Sequence, residues 1–419
     1  MKIKKKDKEM LFVFAISLLV LTVTICEPIK NIYAFFLAGT IVLIVVWWLK
    51  RYKVSKRVLC VYVCWGMMLL LPRIASDSFL TKDPGILKYE VYIIIMLLIS
   101  SISIDNTFIV KTMAVINFVH IFATYFFLLA PASIYQAFAM RIYGKYPIGT
   151  DDGVKGYTAG ICSHYSANAL YISIAFIAIG TLLLSGNYKN KKRMQVFFII
   201  SFVALLLTEK RAHLLFATLV LCILYYRIMK KALPRIFNKL LWTVLLFVPF
   251  LILIPVLSPK ILNVFRRFAE IFSGKDFSTG RFGLWKSSVI LFLENPMRGI
   301  GWQQFMEVAN SYFNVHNAYL QIACETGIVG FMIFFVSINM NYSSVNYFVK
   351  NRRYENLCNK MKSRVLFSAG MQLFFILYCL TGNCLYDNTF FFYAVASGMG
   401  LSIRHDRILD LKVVNGAEL

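Results

Sequence analysis

Charge is scarce in this sequence. Only 16% of the 419 residues are charged and 59% are hydrophobic, with a mean hydropathy of +0.67. A soluble globular chain is about half apolar and a quarter charged, so the composition excludes an ordinary soluble protein. The apolar residues form runs of about 20, enough to cross a bilayer as a helix. Alternating segments of about ten residues, which a membrane β-barrel needs, are missing. The sequence therefore predicts an all-α integral membrane protein.

Metal and redox signatures are also missing from the sequence. The nine cysteines are scattered, and most lie inside apolar runs, as Cys60, Cys64, Cys222 and Cys379 do. There is no CxxC pair and no Cys/His cluster with zinc-ligand spacing. Because buried free cysteine behaves as a small apolar residue, the sequence predicts no metal site and no cofactor.

Basic residues outnumber acidic ones by 45 to 20, which gives a net charge of +25. An excess of this size is also typical of nucleic-acid-binding proteins. Here the Lys and Arg residues cluster in short segments between apolar runs, as in 50–57 and 189–193, which is how cytoplasmic loops are marked in membrane proteins. The pattern favours a multi-pass protein embedded in membrane lipid, with no nucleic-acid partner.

The apolar runs predict a polytopic bundle of about twelve transmembrane helices. Their expected ranges are 10–26, 31–49, 58–72, 89–104, 108–130, 165–185, 195–207, 212–229, 240–257, 318–338, 364–382 and 389–403. The chain then divides into 1–257 with the first nine helices, 258–317 as a large extracytoplasmic loop, and 318–419 with the last three helices and a cytoplasmic tail. No small-residue cleavage site follows the first apolar run, so we expect an uncleaved helix there.

The basic clusters also predict the orientation, with both termini in the cytoplasm. Two long loops, 131–164 and 258–317, are then expected on the outer face, with the active site among them. Loops of this length are usually functional or disordered. The second loop contains an apolar stretch at 282–292 that predicts an amphipathic helix at the membrane interface. No internal repeat and no soluble nucleotide-binding domain are seen.

Ionisable residues cluster at the tight turn 208–213, which reads Thr-Glu-Lys-Arg-Ala-His. Charges beside a membrane span are costly unless they serve a site or face water. One interpretation is a solvated hairpin. The other is an anion site, in which Arg211 offers two parallel donors to a phosphate or diphosphate.

A second cluster of candidates lies in the outer loop. Arg281 and Trp285 are one turn apart if a helix begins at Gly280. Asn295-Pro296 is expected to end that helix, and the glycines at 299 and 301 to make a turn. Arg281 and Arg298 are therefore candidate anion ligands, although a basic loop facing lipid headgroups is the alternative.

A third cluster begins where this loop meets the next apolar run. His316 stands at the membrane edge, where an imidazole can exchange a proton near neutral pH. A single histidine more often has a structural role, but several arginines are expected on the same face. Glu325 lies about two turns further along the run, and a carboxylate there is a candidate for function or for helix pairing.

The order and spacing of these elements resemble the signature region of the O-antigen ligase/polymerase family. That family has Arg-x-x-x-Trp, Asn-Pro-x-x-Gly-x-Gly, His-Asn-x-Tyr-Leu and Glu-x-Gly-x-x-Gly, and this chain carries them at 281–285, 295–301, 316–320 and 325–330. The stretch 208–212 resembles the family's Ser/Thr-x-x-Arg-Gly/Ala element, but with Glu-Lys where small residues are more usual. A weaker element is matched at 156–169, which contains His164.

The resemblance implies a metal-independent, lipid-linked glycosyltransferase of the bacterial cytoplasmic membrane. Its donor is a glycan on undecaprenyl diphosphate at the outer face. By motif match, Arg211 and Arg281 are implied diphosphate ligands, and His316 is implied to lie near the acceptor hydroxyl as general base or orienter. The further substrate-binding candidates are Arg298, which is outside the motif match, together with Lys210, Trp285, Asn317, Tyr319, Glu325 and His164.

Two activities share this signature. A polymerase passes the growing chain to the next lipid-linked repeat unit of an O-antigen, capsule or exopolysaccharide. A ligase passes the glycan to a lipid or protein acceptor. We favour the polymerase, which is expected to work with flippase and chain-length-regulator proteins. A third interpretation is a lipid-linked oligosaccharide flippase, but a transporter should carry mid-membrane charges and internal repeats. A non-catalytic scaffold is the fourth.

Overall fold

The computed structural model describes residues 5–25, 33–50, 54, 56–75, 85–101, 107–144, 158–228, 280–349, 354–355 and 357–414. All the regular elements within these ranges are helices, which confirms the predicted all-α class. They are α1 Lys5–Ile25, α2 Tyr33–Lys50, α3 Lys56–Ala75, α4 Gly85–Ser101, α5 Thr107–Leu129, α6 Ala132–Tyr143, α7 Tyr165–Ser185, α8 Lys191–Leu207, α9 Arg211–Ile228, α10 Arg281–Glu294, α11 Phe305–Val308, α12 Ala318–Val349, α13 Asn359–Tyr378 and α14 Thr389–Val414.

Four helical segments in the described part of the chain are long and apolar enough to cross a membrane: Phe108–Leu129, Tyr165–Ser185, Arg211–Ile228 and Ala318–Val349. Shorter apolar helices cover Met10–Ile25, Phe36–Trp47 and Thr389–Ile403. Helices suit a bilayer because they satisfy their backbone hydrogen bonds internally. The chain is thus a helical membrane protein, but the expected number of twelve spans is not confirmed, and the predicted helix 240–257 lies outside the described residues.

The expected outer loop 131–164 is wrong in one respect, because it contains α6. This helix begins directly after Pro131, whose fixed φ suits a helix start. It ends at Gly144, whose φ of 67° is the left-handed conformation that commonly terminates helices. Its 12 residues are too few to cross a membrane, and a search for apolar runs therefore misses it.

Two of the last predicted helices are longer than their apolar runs. The helix predicted at 318–338 continues as α12 to Val349, and the one predicted at 389–403 continues as α14 to Val414. The segments 339–349 and 404–414, which lie outside the predicted helices, are therefore helical. A hydropathy pattern ends at the first polar residues, whereas a helix continues as long as its backbone hydrogen bonds do.

The chain forms two compact units. The first comprises Met1–Val42, Asn106–Phe277 and Tyr354–Gly370. Helix α7 is its most buried element and packs against α5, α8 and α9. Asn168 on α7 donates through Nδ2 to Thr124 Oγ1 at 3.0 Å and to the Thr158 carbonyl at 3.1 Å. The Asn168 amide nitrogen is therefore paired inside the unit, as a low-dielectric surrounding requires.

The second unit comprises Leu43–Asp105, Ser278–Arg353 and Met371–Leu419. Helix α4 packs along α14, and α3 packs along α12. Trp65 is fully buried, with its ring 5.8 Å from that of Phe334 and 5.0 Å from that of Phe390. Aromatic packing of this kind adds to the stability that burial provides. This unit carries the four motifs between residues 281 and 330.

Candidate active site in the second unit

Helix α10 begins at the glycine that precedes the Arg-x-x-x-Trp motif. Gly280 has a φ of 84°, which glycine adopts without steric cost. Arg281 Nη1 donates to the Thr381 carbonyl at 3.1 Å, and Trp285 Nε1 donates to the Val315 carbonyl at 3.1 Å. The predicted helix and its one-turn spacing are confirmed, and the two motif side chains fasten α10 to the segments before α12 and after α13.

The motifs Asn-Pro-x-x-Gly-x-Gly and Glu-x-Gly-x-x-Gly are joined through their backbones. Helix α12 is broken at Gly327, where φ is 64° and ψ is −171°, so carbonyls before the break need other donors. Two loop N–H groups donate to these carbonyls, Ile300 N–H to Cys324 O at 2.9 Å and Gly301 N–H to Glu325 O at 3.0 Å. After the break, the helix donates back to the loop through Ile328 N–H to Pro296 O at 2.8 Å. We call these three bonds the backbone lock.

Two glycines make this close approach possible. A Cβ on Gly299 would lie 2.3 Å from the carbonyl carbon of Glu325, and a Cβ on Gly327 would lie 2.4 Å from the Met297 carbonyl oxygen. Both glycines also have positive φ. The sequence predicted a turn at residues 299–301, which is confirmed, but the glycines also allow two backbones to touch.

Glu325 is fully buried directly before the break in α12. Its Oε1 accepts from Gln321 Nε2 at 2.9 Å and from the Phe305 N–H at 3.4 Å, and its Oε2 accepts from the Tyr386 hydroxyl. The carboxylate therefore ties α12 to the start of α11 and to the segment after α13. Its expected contact with substrate stays a prediction, since this network already gives it a structural role.

We expect Glu325→Ala to destabilise the protein by about 3 kcal/mol, because it leaves buried donors unpaired at a cost of about 1–3 kcal/mol each. Glu294→Ala is the matched control, since Glu294 is exposed at the end of α10. The measurement is thermal unfolding of each purified variant in the same detergent. Equal midpoints for Glu325→Ala and Glu294→Ala would show that the buried network does not stabilise the fold.

His316 is held by Asn383 at two points. The His316 N–H donates to Asn383 Oδ1 at 3.0 Å, and Asn383 Nδ2 lies 3.4 Å from His316 Nδ1. The backbone of His316 is left-handed, with a φ of 55°. This conformation is uncommon for a residue with a side chain and marks a site worth examining for function.

Asn317 and Tyr319, the other polar members of this motif, build the start of α12. Asn317 Oδ1 accepts from the N–H groups of Tyr319 at 3.1 Å and Leu320 at 3.2 Å, which is helix capping. The Tyr319 hydroxyl donates to the Ile376 carbonyl at 2.8 Å. Together they position the helix that follows His316. Direct binding of substrate by either residue stays a prediction.

The sequence analysis missed the segment 379–388, which we call the Asn383 turn. It accepts bonds from Arg281 and His316, and its Tyr386 hydroxyl donates to Glu325. The Cys379 carbonyl also accepts the Ala318 N–H at 2.8 Å. Each of three motifs thus contacts this one turn. The available signal was the polar stretch Thr-Gly-Asn-Cys-Leu-Tyr-Asp-Asn between two apolar runs.

The charged end of the Asn383 turn caps α14. Asp387 Oδ1 accepts from the Thr389 N–H at 2.8 Å. Burial raises the pKa of Asp387 to about 6, although the hydrogen bonds from Thr389 and the positive charge of Lys88 act to lower it. Lys88 Nζ in turn donates to Asn388 Oδ1 at 3.1 Å. Burial and the adjacent Glu325 carboxylate raise the pKa of Tyr386 well above its usual range, so its hydroxyl stays protonated and can donate.

The remaining predicted residues lie in the first unit. Helix α9 begins at Arg211, so the tight turn between two helices is confirmed. Lys210 Nζ lies 3.8 Å from the centre of the Tyr165 ring, a cation–π contact. His164 caps α7 by accepting the Ser166 N–H at Nδ1, at 3.0 Å. Lys210, unusual for this motif, therefore has a structural partner, as does His164.

Seven of the ten predicted site residues thus fall in the second unit and three in the first. In the second unit Arg281, Trp285, His316, Asn317, Tyr319 and Glu325 are connected through the Asn383 turn, the start of α12 and the backbone lock. Arg298 lies within the lock segment with an exposed side chain. In the first unit Arg211 and Lys210 share the start of α9, and His164 contacts the same tyrosine ring as Lys210.

Residues 196–335 match the family model described as O-antigen ligase. The match confirms, over this region, the resemblance to the O-antigen ligase/polymerase family that the motifs carry. A comparison with curated proteins gave no match.

Proposed function

We propose that this protein is a polysaccharide polymerase of the bacterial cytoplasmic membrane. It transfers a growing glycan from undecaprenyl diphosphate to a lipid-linked repeat unit at the outer face. The observation that carries the proposal is the connection of Arg281, His316 and Glu325 through one turn, inside and beside the region matched by the family model.

The proposed chemistry needs a cation for the leaving group and an oriented acceptor. Undecaprenyl diphosphate is already a good leaving group, so arginine charge is sufficient and no metal is required. The bond to Thr381 uses one of the five N–H donors of Arg281, which leaves donors for a diphosphate. Arg211 is a further candidate for binding diphosphate, on its motif match alone. His316 is placed near the acceptor hydroxyl, and a single direct displacement inverts the anomeric carbon.

A ligase is the second candidate, and the description of the matching family model favours it. A ligase uses the same donor and differs in its acceptor, which is a lipid or protein instead of another repeat unit. The residues that bind the diphosphate are then the same. Only the acceptor side of the site distinguishes the two activities.

The test is the surface polysaccharide of a strain that lacks this gene, with lipid-linked intermediates separated on the same gel. We expect single repeat units on the normal acceptor and no long chains. Long chains stranded on undecaprenyl diphosphate would instead establish the ligase. Repeat units retained on the cytoplasmic side would overturn both and favour a flippase.

We expect Arg211→Lys to reduce polymerisation about tenfold or more in membranes assayed with EDTA present. Lysine keeps the charge but lacks the planar fork that binds two phosphate oxygens at once. The matched control is Arg227→Lys, at the opposite end of the same helix. Equal rates for the two variants would remove Arg211 from the diphosphate site. Loss of wild-type activity in EDTA, restored by Mg²⁺, would refute the metal-free mechanism.

A further inference from the structure

The orientation of the Asn383 amide is fixed by a donor whose identity is certain. The backbone N–H of His316 can only donate, so the Asn383 atom 3.0 Å from it is the amide oxygen. The amide nitrogen is then the atom that faces the imidazole, 3.4 Å from Nδ1. An amide nitrogen has two N–H donors and no acceptor. His316 Nδ1 must therefore act as the acceptor.

This constraint selects the tautomer of the neutral ring. A neutral imidazole has one protonated and one unprotonated nitrogen, and the hydrogen bond made by one nitrogen decides the state of the other. With Nδ1 accepting from Asn383, the proton resides on Nε2. A nitrogen that already carries a proton cannot remove one from an acceptor hydroxyl.

We propose that Asn383 is a positioning residue that holds His316 with its proton on Nε2, so that the imidazole donates a hydrogen bond to the substrate and does not act as general base. The inference rests on the proposed function for its substrate and deepens it by choosing between the two roles given to His316. Asn383 lies outside residues 196–335, the region that the family model matches.

The transfer balances without a histidine base. The acceptor oxygen forms a bond to the anomeric carbon as the bond from that carbon to the diphosphate oxygen breaks. The electron pair of the broken bond goes to the diphosphate, which leaves from the face opposite the acceptor, and the proton of the acceptor hydroxyl passes to water on the acceptor side. His316 contributes a positioned donor, and its own protonation state is the same before and after the step.

The backbone geometry agrees with a positioning role. His316 has a φ of 55°, a conformation that is uncommon for a residue with a side chain and persists only when the surroundings enforce it. Asn383 bonds both the N–H and the ring of this residue. The Asn383 carbonyl accepts the N–H groups of Tyr386 at 2.8 Å and Asp387 at 3.2 Å, so the amide projects from an ordered turn.

The direct test is nitrogen NMR of the protein with ¹⁵N-labelled histidine rings. The chain has five histidines, and the His316 signals are those lost in His316→Gln. In the neutral ring we expect a protonated Nε2 and an unprotonated Nδ1. A protonated Nδ1 with an unprotonated Nε2 in the wild type overturns the inference, whatever reaction the protein catalyses.

The activity test uses Asn383→Asp, which replaces the amide donor by an acceptor. The carboxylate favours the doubly protonated ring and, once that ring loses a proton, keeps the remaining one on Nδ1. We expect polymerisation by this variant to fall at least tenfold as pH rises, because Nε2 then loses its proton. A general base predicts the opposite, with activity retained or increased at high pH, and that result would overturn the inference.

Asn388→Asp is the matched control, since it places the same charge on the same turn beside Lys88 and away from His316. The charged and titratable groups around the site include Arg281 on α10 and Tyr319 and Glu325 on α12. On the turn they include Cys379, Cys384, Tyr386 and Asp387, and all of these groups are unchanged in both variants. We expect Asn388→Asp to keep the wild-type pH profile. A matching high-pH loss in this control would assign the effect to charge alone and refute the role of Asn383.

Asn383→Ala completes the series by removing the amide. We expect a loss of about 10–100-fold, the range typical of removing a partner that orients a histidine ligand, with both ring tautomers visible by NMR. Failure of the polymerase proposal would appear in the polysaccharide of the deletion strain and would leave the NMR result unchanged. The two failures are therefore distinguishable.

Discussion

Strains whose only copy of this gene carries Arg281→Ala or His316→Ala are expected to make no long-chain polysaccharide. Removing a donor aimed at developing charge costs about 10²–10³-fold in rate. Because every addition to the growing chain would be slowed by this factor, only single repeat units should accumulate. The measurement is the length distribution of surface polysaccharide, with the amount of protein in the membrane measured by immunoblot.

The control for Arg281→Ala is Arg193→Ala, because Arg193 is an exposed arginine near the start of α8 in the first unit. We expect normal polymer from that variant. Protein levels must be equal in all strains, since the bond from Arg281 to Thr381 also fastens α10. Normal-length polymer from either Arg281→Ala or His316→Ala would show that the site is assigned wrongly.

Gly327→Ala is expected to destabilise the protein by about 3 kcal/mol. The methyl group would lie 2.4 Å from the Met297 carbonyl oxygen, and the backbone there is fixed by the lock and cannot withdraw. The residue would also be left with a φ of 64° and a ψ of −171°, a backbone region that is essentially restricted to glycine and costs other residues about 1–3 kcal/mol. Crowding adds about 1–3 kcal/mol. Gly299→Ala should behave in the same way, because its Cβ would meet the Glu325 backbone at 2.3 Å.

Gly283→Ala is a control with the opposite expected sign. Gly283 lies inside α10, and a Cβ there meets nothing within 4 Å. Alanine in a helix interior is favoured over glycine by about 0.5–1 kcal/mol, so this variant should be slightly more stable than the wild type. Thermal unfolding in one detergent compares all three. If Gly327→Ala unfolds at the temperature of Gly283→Ala, the two backbones are not in contact as described.

The sequence by itself determined the class of the protein and much of its local structure. A long apolar run that crosses a bilayer forms a helix, because lipid offers no hydrogen bonds to the backbone and a helix satisfies them within the segment. Glycine and proline also have strong local preferences, so the start of α10 at Gly280 and its end at Asn295 were predictable. The motif spacing was sufficient to indicate the family.

Only the tertiary structure decided how the motifs act together. The contact of Gly299 with Glu325, the bond of Arg281 to Thr381 and the pairing of His316 with Asn383 join residues that are far apart in the chain. A hydropathy pattern indicates which residues avoid water. It does not indicate where a helix breaks, or which distant N–H group bonds to the carbonyls that the break leaves unpaired. The Asn383 turn therefore looked like a connection between two helices, and packing made it the point where three motifs meet.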